Sequence, residues 1–383
     1  MQTEPTPGRF ERAETIAGFA RSPSDDDPRL NPKLLGALAR IAPGTDLRQA
    51  IDDIIRSREG ALIVIGEPNE LAFLLSGGIR LDQPFTSQLL YELAKMDGAI
   101  IVNSTVSRLT YANVQLMPDP TIPSAETGTR HRTAERVAKQ TNALVISISQ
   151  QRETVTVFVG HSRYQLDAIA DVLAKTNQAL QTLETYKQRL DQVLTRLTAL
   201  EFQNAVMLED VLIVLQRAEL TTRMAEEIER ACVELGSEGR MIQMQLEELV
   251  GDVPAEKVAV IEDYHARDGD HIPQQALIAL ADLSYQDLVD FGLLPVLGYP
   301  EATNPLDYAV APRGYRALAH VPRLPEDVIA RVVASFDGLE GILQASQEEL
   351  EAIDGLEPGR AREVREGLRR LQEHNLVDRY LRL

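Results

Sequence analysis

The chain has 383 residues, more than one hydrophobic core usually organises, so two or three domains are expected. With 44% hydrophobic and 25% charged residues, and apolar runs far shorter than a bilayer span, the composition excludes both wholesale disorder and a membrane-embedded chain. Basic residues number 39 against 58 acidic, a formal charge of −19, which excludes a surface acting as one electrostatic trap for nucleic acid and confines any such contact to local patches. The absence of tryptophan, with 5% aromatic residues, also argues against a base-stacking platform. A single cysteine, Cys232, makes no intramolecular disulfide, and the N-terminus lacks the basic-then-apolar layout of a secretory signal, so cytoplasm is the expected compartment.

Residues 1–28 mix Pro5, Pro7, Pro23 and the run Asp25-Asp26-Asp27 with few large apolar residues, the pattern of a mobile tail. From Asn31, Leu34, Leu35, Leu38 and Ile41, then Leu47, Ile51, Ile54 and Ile55 beyond Pro43-Gly44, fall at helical spacing, with Thr45 or Asp46 available as an N-cap. Two short helices therefore precede the first strand. Between Gly60 and Gly160 apolar runs of strand length appear: Ala61 to Ile65, Ala99 to Val102, Ala143 to Ile148 and Thr154 to Val159. Helical segments from Ser87 to Lys95 and from Thr133 to Gln140 lie between them, which predicts an α/β domain over 29–165 with its functional loops at strand ends.

From Tyr164 to Val250 the strand signal is gone, and Leu180, Leu183, Tyr186, Leu190, Val193, Leu194, Leu197 and Leu200 recur every three or four positions. A second such stretch ends before Gly236-Ser237-Glu238-Gly239 and a third begins at Arg240, so 166–311 reads as a helical bundle or spine. Residues 312–383 are helical in shorter pieces punctuated by Pro322, Pro325, Gly338, Gly341, Gly355, Pro358 and Gly359, which predicts a compact all-α module.

Two clusters in the α/β domain carry chemistry. In Lys95-Met96-Asp97-Gly98-Ala99 a helix stops, a carboxylate and a glycine make the turn, and a strand follows. An Asp there can hold a divalent cation or polarise a hydroxyl, and Gly98 lets a ligand approach the backbone, although Asp-Gly is also a common turn. The second cluster is Glu126-Thr127-Gly128-Thr129-Arg130-His131-Arg132-Thr133-Ala134-Glu135, leading into a helix expected near Thr133. Two arginines, a histidine and three threonine hydroxyls around a glycine and a helix N-terminus are the parts of a polyphosphate site; a solvated basic turn is the bland alternative. The remaining histidines, His161, His265, His271, His320 and His374, are scattered away from any ligand spacing.

Asp97-Gly98-Ala99, followed by Gly128-Thr129-Arg130-His131-Arg132-Thr133-Ala134-Glu135, resembles the paired signature of the diadenylate cyclase family. The flanks Gly60-Ala61-Leu62-Ile63-Val64-Ile65-Gly66, Glu92-Leu93-Ala94-Lys95-Met96 and Ser147-Ile148-Ser149-Gln150 agree, and from about Leu34 the whole chain is similar to the branch of that family that scans DNA integrity. The resemblance implies three parts: an α/β diadenylate cyclase domain, a central helical bundle or spine, and a C-terminal all-α tandem helix-hairpin-helix domain. It also implies condensation of two ATP molecules into cyclic di-AMP with loss of two pyrophosphates, and one divalent ion, Mg²⁺ or Mn²⁺. Carried over motif by motif, Asp97 and His131 are the catalytic and metal-holding residues. Thr129, Arg130, Arg132, Thr133 and Ser149 grip the phosphates, and Gly98 and Leu116 line the adenine and ribose pocket. Because the product is two-fold symmetric, two such domains must face each other, within an octamer by analogy.

The resemblance places hairpins at Val321 to Pro325 and Ile353 to Ala361, which would bind the backbone of branched or junction DNA through Arg323, Gly355, Gly359 and Arg360 and modulate the cyclase. The second departs from the family pattern: Glu357 replaces a glycine, and Pro358 has no N–H to donate. The alternative reading is a DNA-binding scaffold whose pocket senses ATP or a dinucleotide without catalysis. Localisation is expected to be cytoplasmic, at the nucleoid when DNA is bound, with no membrane partner.

Overall fold

The computed structural model describes residues 31–266, 273–289, 292–353 and 356–381; the expected N-terminal tail and Gly355 of the second hairpin lie outside them. The chain divides into two compact units, Met1–Gln178 with Glu227–Met244, and Ala179–Glu226 with Gln245–Leu383. No helix among the described residues is long and apolar enough to cross a membrane.

In the first unit the two expected short helices are α1 (Pro32–Arg40) and α2 (Asp46–Arg56). Asn31 caps α1 by accepting the Lys33 N–H, with Pro32 pre-set for the first turn, and Thr45, rather than Asp46, caps α2 by accepting the Arg48 N–H at 3.1 Å. There follow β1 (Ala61–Ile65), the one-turn α3 (Pro68–Leu71), β2 (Leu75–Ser76), β3 (Ile79–Pro84), α4 (Ser87–Ala94), β4 (Ala99–Val102) and β5 (Arg108–Leu116). The domain closes with α5 (Thr129–Thr141), β6 (Leu144–Ser149), β7 (Thr154–Val159) and β8 (Ser162–Gln165).

The strands make one mixed sheet in the order β2-β5-β4-β1-β6-β7-β8, with β3 paired to β5. Only β1 and β4 run parallel; the other pairs are antiparallel. Alternate residues of the central strands feed two cores. Ile63, Ile65, Ile100, Ile146 and Val157 pack against Leu34, Leu38, Ile51, Ile54 and Leu90 of α1, α2 and α4. Leu62, Val64, Ile101, Val145 and Phe158 pack against Ala134, Val137 and Ala138 of α5. With both faces covered, β1 and β4 are apolar throughout and β6 is apolar up to the buried Ser147, which is why all three read as apolar runs.

The four expected strands are present. Sequence reading missed β2, β3, β5 and β8, because edge strands such as β3, with five of its six residues exposed, leave no apolar run. Nor does the helical region start at Tyr164, which belongs to β8; the first long helix, α6, is Ile169–Phe202.

After α6 come α7 (Leu208–Leu235), a short 3₁₀ turn at Gly236–Gly239, α8 (Arg240–Val250), α9 (Val253–Tyr264), α10 (Pro273–Asp282) and α11 (Tyr285–Val289). In the second unit Leu190, Leu197, Leu212, Leu215, Val260, Leu280 and Leu297 form one buried core. The C-terminal helices α12 (Tyr315–Ala319), α13 (Glu326–Ser335), α14 (Gly338–Gln344), α15 (Gln347–Glu351) and α16 (Pro358–Leu381) enclose a separate one around Leu318, Val332, Leu339, Leu350 and Val364.

Between these two cores runs a buried polar joint. The Asp263 carboxylate, at the end of α9, accepts the N–H groups of Gly314 and Tyr315 at 2.7 Å and of Arg316 at 2.9 Å, holding the start of α12. Arg316 in turn donates to both oxygens of Glu201 on α6, at 3.0 and 2.5 Å, and to the Thr198 hydroxyl.

Candidate active site

The sheet brings the signature residues to one end. The registers Leu62↔Ala99, Ala61↔Ile148 and Ala99↔Val114 mean that β1 and β4 begin where β5 and β6 finish. Asp97 and Gly98 precede β4, Gly60 precedes β1, Leu116 closes β5 and Ser149 closes β6. The N-terminus of α5 is tied to that same end, because Arg130 Nη1 donates to the Ile148 carbonyl at 3.1 Å.

The Asp97 turn forms because α4 runs out at Lys95 and the chain must reverse into β4. Gly98 does this with φ of +92°, and a Cβ there would meet the Asn113 and Val114 backbone at 2.9 Å, so its glycine is required by β5 rather than by the approach of a ligand. Asp97 is exposed and has no hydrogen bond or ion pair among the described residues. A carboxylate left free at such a convergence is available to a cation or a hydroxyl.

The second cluster departs from expectation in its helix start. α5 begins at Thr129, four residues before Thr133, with Gly128 as an N-cap that offers no side-chain acceptor. Thr129, Arg130 and His131 therefore occupy the first turn, beside backbone N–H groups without a capping side chain, a ready anion site. The loop before the helix is laid along it by Arg136 donating to the Ile122 carbonyl, Lys139 to the Pro123 carbonyl, both at 2.9 Å, and Ser124 to Glu135. These contacts fix the earlier start, and nothing local in the sequence announces them.

The three cations of the motif do different things. Arg130, half-buried, is seated on the Ile148 carbonyl. Arg132 is exposed and folds back on the Glu126 and Thr127 carbonyls at 3.3 and 3.2 Å. His131 packs edge-on against Phe158 of β7, with ring centroids 6.5 Å apart. Burial there, with the charges of Arg130, Arg163 and Arg152, holds its imidazole below the usual histidine range despite the opposing charge of Glu126, itself paired with Arg163 at 2.5 Å. The neutral ring is the form that can ligate a metal.

A pH dependence follows. The unfolded chain takes up the His131 proton first, near the ordinary value of 6.5, so the unfolded state binds more protons below it and stability is lost as pH falls from there through the lowered folded value. Unfolding midpoints from about pH 5 to 7.5 are expected to drop less steeply on the acid side for His131→Gln than for the unsubstituted chain. An identical slope for the two proteins would contradict the assignment.

Thr129 and Thr133 have hydroxyls without a partner among the described residues, while Ser149 Oγ accepts the Arg152 N–H at 3.3 Å. His131 and Asp97 are not neighbours. His131 lies over the β6–β7 side and Asp97 precedes β4, two to three strand spacings away, roughly 10–14 Å across the sheet. Sequence reasoning took Gly60 as a strand boundary and as part of a matching flank, without a role at the site, and gave Phe158 none either. Gly60 makes room for Arg130, and Phe158 supports His131.

In the C-terminal module both hairpins connect helices, α12 to α13 and α15 to α16, and they meet where Arg360 Nη1 donates to the Arg323 carbonyl at 3.2 Å. Arg323 adopts a φ of +64°, and Gly359 is the second residue of α16 after Pro358. Glu326 and Asp327 occupy the first turn of α13, Glu357 precedes α16, and Arg360 is paired to Glu363 at 2.6 Å. Carboxylates thus stand at both helix starts, which opposes phosphate binding there.

A mixed sheet with an uncapped helix start and an exposed carboxylate at one end, followed by long helices, has the make-up of a nucleotide-binding α/β domain with a helical extension. Residues 48–163 match the family described as DisA bacterial checkpoint controller nucleotide-binding, and 166–306 the one described as DisA bacterial checkpoint controller linker region. DNA integrity scanning protein DisA of Carboxydothermus hydrogenoformans is 48% identical over 342 residues, 89% of this chain and 97% of its own length. Its namesakes from Symbiobacterium thermophilum (48% over 348 residues, 90% and 97%) and Acetivibrio thermocellus (45% over 353 residues, 92% and 98%) are similar throughout as well. The chain belongs to the DisA family.

Proposed function

We propose that this chain is a diadenylate cyclase, joining two ATP molecules into cyclic di-AMP and releasing two pyrophosphates, with a C-terminal module that engages DNA. The observation that carries it is the convergence of Asp97, the first turn of α5 and Ser149 at one end of the sheet. Each ribose 3′-hydroxyl must attack the α-phosphate of the other nucleotide, and that needs a carboxylate near the hydroxyl and positive donors along the triphosphate. Asp97 supplies the carboxylate. Thr129, Arg130, Arg132, Thr133 and Ser149 supply donors, and Gly98 and Leu116 border the nucleoside.

Among the described residues no group of three or more His, Cys, Asp or Glu side chains could enclose a metal. Asp97 and His131 instead suit a hard divalent ion, Mg²⁺ or Mn²⁺, which takes one or two protein ligands and fills its shell with phosphates and water. Such an ion neutralises charge developing on the phosphates. Since Asp97 and His131 are strands apart in one chain, the ion they share lies between two facing copies, and the homo-oligomer, an octamer by analogy, places cyclase domains in pairs. The working division is a cyclase domain over 29–165, a spine over 166–311 and a DNA-binding module over 312–383, acting in the cytoplasm and at the nucleoid. Arg323, Gly355, Gly359 and Arg360 are the proposed DNA contacts.

Incubation with ATP and either Mg²⁺ or Mn²⁺, with nucleotides resolved by chromatography and mass, is expected to yield a cyclic dinucleotide, at a lower rate when junction DNA is bound. ATP that is bound but stays intact would turn the reading to a nucleotide-sensing scaffold.

A further inference from the structure

Gly60 stands immediately before β1, at the site end of the sheet, and its backbone does not require a glycine: its φ lies outside the left-handed region. What a side chain would meet there is Arg130. A Cβ on Gly60 would come within 2.0 Å of Arg130 Nη1 and 3.0 Å of its Cζ, while the Ile148 carbonyl oxygen stands 3.2 Å from the same point. The guanidinium thus occupies the place of the missing side chain, with one N–H spent on the Ile148 carbonyl and the other four without a partner among the described residues.

We infer that Gly60 is a positioning residue for the cyclisation reaction, a seat that holds the Arg130 guanidinium against the ends of β1 and β6 so that it meets the triphosphate already ordered. The inference rests on the reading of Arg130 as a phosphate-gripping residue. A planar fork held in place before the ligand arrives loses less freedom on binding than a long side chain free in solvent. The closest obstruction is the far end of a flexible side chain, which an added methyl group displaces, while the Ile148 carbonyl at 3.2 Å has to give by only a few tenths of an ångström. Gly60→Ala is therefore expected to leave the unfolding midpoint nearly unchanged, the restriction of the unfolded chain by alanine offsetting the slight crowding of the Ile148 carbonyl. A residue with a merely structural role would show the reverse, a lowered midpoint with activity falling in step.

The test is a double-mutant cycle on the full-length protein with Gly60→Ala, Arg130→Lys and the pair, reading kcat and KM for ATP, the ATP dissociation constant and the unfolding midpoint. Gly60→Ala alone is expected to lower kcat/KM about 10- to 100-fold, the scale set by misplacing a substrate-positioning group by about an ångström. In the Arg130→Lys background, where no planar fork needs the space, the same alanine is expected to cost less than about twofold, a coupling between neighbours. Equal losses in both backgrounds, or full activity in Gly60→Ala, would overturn the seat while leaving the cyclase reading intact. A wild type that binds ATP but forms no cyclic dinucleotide would overturn the cyclase reading. In that case, or where Arg130→Lys leaves no turnover, the cycle is read in ATP dissociation constants, where coupling supports the seat and additivity removes it.

Discussion

Asp97→Asn is expected to lower cyclic dinucleotide formation by roughly a thousandfold, the upper range for removing one group that stabilises charge developing in a transition state. It is expected to leave the fold untouched, because Asp97 is exposed at the α4–β4 turn and has no partner among the described residues. Surface changes of that kind shift stability by less than about 0.5 kcal/mol. Asparagine keeps the size and the hydrogen-bonding oxygen of aspartate and loses only the charge. A large rate effect would therefore belong to that charge, through the divalent ion or the 3′-hydroxyl. Turnover with saturating ATP and Mn²⁺, beside a thermal unfolding curve, separates the outcomes: near-normal turnover would remove Asp97 from the reaction, and a lowered midpoint would make the turn a structural one.

The sheet's centre was legible because β1, β4 and β6 are covered on both faces and are apolar except for Ser147 and Ser149 of β6. Its edges were not, since β3 and β8 carry charge and alternate weakly; nor was the interior β5, whose pairing with β3 and β4 is irregular and whose apolar positions are diluted among polar ones. At the site, residue types carried the chemistry. An aspartate in a turn and a run of arginine, histidine and threonine before a helix are informative wherever the chain places them. What lay beyond sequence was which side chain holds which. Arg132 spends two N–H groups on its own loop, Arg130 lies over a glycine seventy residues earlier, and His131 takes its lowered proton affinity from burial beside Phe158. The early start of α5 was hidden for a similar reason, since contacts from 122–124 along the helix, rather than a capping side chain, determine where it begins.

Arg316→Met is expected to destabilise the second unit by about 3–5 kcal/mol, the cost of leaving a buried charge without its partner. The Arg316 side chain is 2% exposed and Glu201 1%, so neither charge reaches water. Arg316 makes a two-pronged bond to Glu201, which also accepts the Tyr264 hydroxyl at 2.8 Å, and lies 3.6 Å from Glu256, an ion pair without a hydrogen bond. Burial and the Glu201 charge push the neighbouring Asp263 carboxyl up to about 7, against the three N–H groups at the start of α12 that favour its ionised form. Removing the Arg316 cation leaves these acids repelling each other around a joint that ties α12, and hence the first hairpin, to α6 and α9. Adding Glu201→Gln removes the stranded charge while keeping an acceptor for Tyr264, so the double variant is expected to recover most of the loss. Amide exchange over 314–320 and denaturant unfolding check this: a single variant as stable as wild type, or a double variant no better than the single, would mean that apolar packing alone holds the module. Because this joint is a buried polar connection between the C-terminal hairpins and the long helices, Arg316→Met is also expected to retain cyclisation while weakening its response to junction DNA. That separates transmission of the signal from the chemistry at the sheet end, where Arg316 has no part.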